Sequence, residues 1–197
     1  MTPWTRLEGT QLWADVEAAM QQPAGRHYHN MNHIRQIYKH AALTFELPYD
    51  KSLDLAILAH DVIYDNMPNK ELRSAEWLFD RIGDVQADKH ILKTIDHAPT
   101  ADNRMIILDL ADFMDQLQTE RNYEAILDES LALYGCTRVE FFEANITALD
   151  RILRNMIKLQ SDPAAGGREI RAAAEISYGI EWTIMRSENL LELELRG

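Results

Sequence analysis

Leu53-Asp54-Leu55-Ala56-Ile57-Leu58-Ala59-His60-Asp61 is the stretch on which the fold turns. Asp50 stands where an N-cap belongs, and the residues after it predict a helix from Lys51 to about Tyr64. A helix this apolar must be largely buried. It runs directly into an adjacent His and Asp. Burying an uncompensated carboxylate or imidazolium costs several kcal/mol, so the pair needs a partner. That partner is either a hydrogen-bonded helix end or a divalent metal, which favours neutral imidazole and ionised carboxylate.

Outward from this segment, apolar residues recur at spacings of three and four almost throughout, the mark of amphipathic helices. Helices are predicted over about Leu7–Met20, from Asn30 to before Pro48, over Lys70–Ile82 after an Asn69 cap, and over about Gln86–His97. Further helices follow over about Ala101–Leu117 and Tyr123–Leu133. Thr137-Arg138-Val139-Glu140 fits a capping box and opens a long helix to about Leu159. A last helix covers about Arg168–Leu195. Its end alternates from Glu188 to Leu195 in the manner of a strand, but a lone terminal strand has no pairing partner in the sequence. With only 8 Gly and 6 Pro, the chain also lacks the turns of an all-β protein. The expectation is an all-α, single-domain helical bundle over residues 1–165, with 166–197 as an appended C-terminal helical extension on the same domain.

The 20 Lys and Arg against 32 Asp and Glu give a net charge of −12. That balance argues against nonspecific nucleic-acid binding, which depends on cations neutralising phosphates. One cysteine, Cys136, excludes an internal disulfide framework and fits a reducing compartment. The start, Met1-Thr2-Pro3-Trp4-Thr5-Arg6, leads into no apolar signal region. The longest purely apolar run, Leu55–Ala59, falls far short of the roughly 20 residues of a membrane span. A cytoplasmic protein with no membrane partner is expected. There is no Gly-rich phosphate loop, no His-Glu-x-x-His and no Cys-x-x-Cys.

All 7 histidines, His27, His29, His33, His40, His60, His90 and His97, fall in the first half of the chain. His29 and His33 are one helical turn apart and share a face. Ile106-Ile107-Leu108-Asp109-Leu110-Ala111-Asp112-Phe113-Met114 sets two aspartates three apart on one apolar helix, where a buried carboxylate again needs a cation. A His from one helix, a His-Asp pair from a second and an Asp from a third would supply two nitrogens and two oxygens to one ion.

The order His…His-Asp…Asp resembles the HD superfamily of metal-dependent phosphohydrolases over roughly residues 26–117. Arg26-His27-Tyr28-His29 with His33-Ile34, then Ala59-His60-Asp61-Val62-Ile63-Tyr64-Asp65, then Glu71-Leu72-Arg73-Ser74-Ala75, is similar to a bacterial subgroup of HD phosphohydrolases. The resemblance implies an HD-type helical domain and His33, His60, Asp61 and Asp112 as metal ligands. Asp112 is preferred because Ala111-Asp112 matches the family's last Ala-Asp step, although the family's usual Asp-x-Asp is here Asp109-Leu110-Ala111-Asp112, which leaves Asp109 open.

The resemblance also implies roles around the ion. Asp65 and Glu71 are the candidate catalytic carboxylates, against plain readings as a solvated helix end and a first-turn acid favoured by the helix dipole. Arg26, His29, Lys70 and His97 are the candidate phosphate-binding groups, with Arg73, His27, His40 and His90 left as surface residues and the four tryptophans as core or interface. The implied cofactor is one divalent metal, Mn, Co, Ni, Fe, Zn or Mg, with nitrogen ligands weighing against Mg. The implied substrate is a small phosphorylated molecule, a nucleotide. The apolar C-terminal helix, with Leu190, Leu191, Leu193 and Leu195, makes a homodimer plausible. Rival readings are a non-catalytic metal or nucleotide sensor and a helical interaction module with an empty site.

Overall fold

The computed structural model describes Trp4 and residues 6–196; Met1–Pro3 and Thr5, read above for a leader, and Gly197, the end of the extension, lie outside the described residues. Among the described residues every regular element is helical, as the spacing predicts. None of these helices is long and apolar enough to cross a membrane. The chain divides into two compact units, Met1–Ile95 and Asp96–Gly197.

The first unit is built around α3 (Lys51–Ala59), which α1 (Gln11–Ala19), α2 (Met31–Lys39), α4 (Lys70–Ile82) and α5 (Val85–Leu92) all contact. Every residue of α3 from Leu53 to Ala59 is buried. Asp50 caps it as expected, its carboxylate accepting from the Ser52 and Leu53 amides. Thr10, Asn30 and Asp84 cap α1, α2 and α5 in the same way. A π-helical turn, His40–Thr44, extends α2. Gly83 ends α4 in the left-handed conformation, φ 70°.

Several predicted helices are shorter than their apolar pattern. α3 stops at Ala59 and not near Tyr64, because the chain tightens into a turn in which the Val62 amide donates to the Ala59 carbonyl. α5 stops at Leu92 and not at His97. His90, expected on the surface, is fully buried. It lies with Ala87 and Ile91 on the face of α5 that packs against α3 and α4, so the helical spacing overrode its polarity.

The second unit contains α6 (Arg104–Asp109), a 3-10 turn (Ala111–Met114), α7 (Gln116–Tyr134), α8 (Arg138–Gln160) and α9 (Gly167–Arg196). The single helix expected over Ala101–Leu117 is broken. Asp115 adopts an extended conformation and caps α7 by accepting from the Gln118 amide, so α7 starts well before Tyr123. The Thr137–Glu140 capping box forms as expected. α8 and α9 make the most extensive packing in the unit. Tyr123, Leu127, Phe141 and Phe142 form a core cluster there, against which Leu190 and Leu191 pack, and the alternating terminal stretch is helix up to Arg196.

One glycine of α9 is required by packing. A β-carbon on Gly179 would collide with the Phe113 carbonyl oxygen and come within 2.9 Å of its carbon. Gly179→Ala is therefore expected to destabilise the protein by about 2–4 kcal/mol, read as a fall in the urea midpoint at unchanged slope.

Asp54 is a second stress on the fold. It is fully buried in α3 and accepts a 2.8 Å hydrogen bond from the Tyr38 hydroxyl. Burial drives its carboxyl up to about 6, against the lowering pull of Tyr38, Tyr49 and Arg6. The folded chain thus holds this proton through a range in which the unfolded chain releases it. The group's contribution to stability is complete below about pH 4 and is lost as pH rises through about 6, a change on the order of 2 kcal/mol. Asp54→Asn is expected to remove that fall, seen in urea midpoints measured between pH 4 and 7; parallel pH profiles for the two proteins would contradict it.

Candidate metal centre

His60 follows the last residue of α3 and is 1% exposed. Its Nδ1–H donates to the Ile57 carbonyl oxygen, one turn back, at 3.0 Å. That bond fixes the tautomer and leaves the Nε2 lone pair to face outward from the helix. Nε2 stands 3.0 Å from Asp61 Oδ2. The same oxygen is 3.8 Å from Nε2 of His33, a 4% exposed side chain on the inner face of α2. A lone pair aimed at a carboxylate oxygen is repulsive unless a proton or a cation lies between them. Burial pushes the Asp61 carboxyl upward, but His60, His29 and His33 outweigh it and hold the group well below the ordinary carboxylate range.

The ligand set extends to a further carboxylate. His33, His60 and Asp109 each offer a ligand atom, and these atoms all lie within 4.8 Å of one another; the two imidazoles are buried and Asp109 is half-buried. Donor atoms that share one ion at about 2.1 Å stand roughly 3–4.2 Å apart. The 3.0 and 3.8 Å separations around Asp61 Oδ2 fall in that range. Two imidazoles with one or two carboxylates suit a divalent transition metal.

Asp109, which the sequence leaves open beside Asp112, lies in this group of ligand atoms. The two were expected on one helical face. α6 instead ends at Asp109, and Leu110 (φ −94°, ψ 0°) turns the chain into the 3-10 segment that carries Asp112. Asp112 is buried and its Oδ2 accepts from Asn122 Nδ2 at 2.8 Å.

The other candidates have distinct surroundings. The His29 ring stacks on Tyr64 at 3.8 Å between centroids and lies 5.9 Å from the His33 ring. The Lys70 ammonium sits 3.5 Å from the centre of the same Tyr64 ring. Arg26 is 8% exposed and turns inward: its guanidinium donates to the carbonyls of His29, Gln22, Val62 and Asp61. Asp65 is clamped by Arg73 through both carboxylate oxygens, at 3.0 and 2.5 Å, and also accepts from the Met67 amide. The hydrogen bonds from Arg73 lower its carboxyl to about 2. Glu71 stands half-buried in the first turn of α4. The His97 Nε2 donates to Asp109 Oδ2 at 2.7 Å.

Sequence reasoning missed Tyr64 and the clamp from Arg73. The only signal was their place within Asp61–Asp65 and Glu71–Ala75, since neither a ring contact nor an eight-residue ion pair follows from helical spacing.

Comparison with protein-family models, with curated proteins and with solved structures finds no match.

The geometry makes a direct demand on binding. His33→Ala or His60→Ala is expected to weaken binding of Co²⁺ to the metal-stripped protein by at least about 100-fold, measured by titration calorimetry. Circular dichroism checks that the helices persist.

Proposed function

We propose that this protein is a metal-dependent phosphohydrolase that cleaves a phosphoester or phosphoanhydride of a nucleotide. The observation that carries the reading is the convergence of His33, His60 and Asp109, with Asp61 Oδ2 against both imidazoles. The resemblance of these residues to the His…His-Asp…Asp order of the HD superfamily supports the reaction class. His33, His60, Asp61 and Asp109 would hold the ion, one of Mn, Co, Ni, Fe, Zn or Mg. When bound, it supplies a Lewis acid for a phosphoryl oxygen and lowers the pKa of water.

The chain's own residues do the rest. Arg26 joins the carbonyls at His29, Asp61 and Val62, so the segment before α2 and the end of α3 keep a fixed spacing. His29 and Lys70, both held on Tyr64, bring positive charge to the substrate's phosphate. Asp65 is ion-paired and a weak base at about 2, so it shapes the loop after α3. Glu71 accepts the proton as water adds to phosphorus and the bond from phosphorus to the leaving oxygen breaks. The net charge of −12 favours a small phosphorylated substrate over a nucleic acid.

The test is phosphate release from a panel of mono- and triphosphate nucleotides with Mn²⁺ or Co²⁺ added. Wild-type protein is expected to turn over at least one of them. His60→Ala and Asp61→Ala are expected to lower kcat/KM by at least about 1,000-fold with helicity intact. No turnover by the metal-loaded wild type across the panel overturns the reading; tight nucleotide binding without turnover would favour a sensor.

A further inference from the structure

The turn that leads into α6 holds a histidine in a conformation that histidine does not favour. His97 has φ 51°, in the left-handed region, where a β-carbon is crowded by its own backbone. The chain on either side is pinned. The Asp96 carbonyl accepts from Asn155 Nδ2 at 2.8 Å and its carboxylate accepts from Arg151 Nη1 at 3.1 Å, both from α8. The Thr100 amide donates to Asn103 Oδ1 at 2.7 Å. Non-glycine residues persist in such conformations where the surroundings over-determine them and something is gained by the side chain's direction.

The gain here is one contact. His97 Nε2 lies 2.7 Å from Asp109 Oδ2, with the side chains 12% and 14% exposed. The ring's other nitrogen, Nδ1, is buried and has no hydrogen-bond partner among the described residues. The imidazole therefore has a single polar engagement, the carboxylate of Asp109. A carboxylate gripped at one oxygen loses its freedom to rotate and presents its other oxygen in one orientation.

From this geometry we infer that His97 is a positioning residue that orients Asp109 as a metal ligand, and that the left-handed turn at residue 97 exists to aim it. The inference rests on the metal-centre reading of His33, His60 and Asp109. It gives His97 a role through Asp109, where the sequence offered it as a contact to phosphate.

The experiment measures Co²⁺ affinity by calorimetry and urea stability of the metal-free, full-length protein. His97→Phe fills the same space without a donor and is expected to weaken Co²⁺ binding about 10–100-fold. His97→Gln, whose amide N–H can reach the same oxygen, is expected to recover most of that affinity. His97→Gly and His97→Ala separate the ring from the backbone. Glycine accepts φ 51° and alanine does not, so the glycine variant is expected to be the more stable of the two. Their Co²⁺ affinities are expected to be equally poor, because affinity follows the imidazole. In the Asp109→Asn background, His97→Phe is expected to add little further loss.

Wild-type affinity in His97→Phe would overturn the inference. So would wild-type affinity in His97→Gly alongside weak binding in His97→Ala, since affinity would then follow the backbone. If His60→Ala abolishes Co²⁺ binding while His97→Phe leaves it intact, the metal centre stands and only the positioning role falls. If the wild type binds no Co²⁺, both fall together.

Discussion

A hydrogen bond of 3.0 Å from His60 Nδ1 to the Ile57 carbonyl governs the rest of the candidate centre. The α-helix ends at Ala59, so the carbonyls of its last turn take their partners from beyond the helix. One of them takes the imidazole N–H. A single contact thereby caps the helix and fixes the direction of Nε2. Because α3 is buried from Leu53 to Ala59, the imidazole cannot swing into solvent to relieve its approach to Asp61. The apolar helix is thus the mechanical support for two polar groups that would repel each other without a cation or a proton. A charge between them is what makes burial of the pair tolerable.

Two arginines hold the segments on either side of that pair by different means. Arg26 is buried and grips main-chain carbonyls, so its positive charge is shared among peptide dipoles and serves the spacing of the chain. Arg73 is about one-third exposed and grips a carboxylate with both ends of its fork. The second arrangement lowers the carboxyl of Asp65 and removes it from proton chemistry near neutrality. The His29 ring and the Lys70 ammonium both rest against the Tyr64 ring. Tyr64 is itself 8% exposed, so this platform is anchored in the unit and not draped on its surface.

The parts legible in the sequence were those set by local rules. Helical period, the Asp50 cap and the Thr137–Glu140 box depend on residues within a few positions of each other, and each forms as read. The His60-Asp61 pair was legible because apolar neighbours announce burial. What was not legible depended on where a helix breaks. Asp109 and Asp112 share a face only on a continuous helix, and the break at Leu110 separates them. His90 is buried against its polarity for the opposite reason: it stands three residues after Ala87 on a continuous helix, and that position puts it on the packed face. Asp65 and Arg73 meet across a loop whose path no periodicity predicts.

The break between α6 and α7 has its own physical cause, and it lies in the packing of the second unit. α9 approaches the 3-10 turn so closely that Gly179 leaves no room for a β-carbon beside the Phe113 carbonyl. A full α-helical path through Phe113 would rotate that carbonyl and lose the contact. Thr119 reinforces the break by donating to the Asp112 and Asp115 carbonyls. With the turn fixed, Asp112 is directed to Asn122 and Asp109 to His97, so two aspartates three residues apart acquire different neighbours.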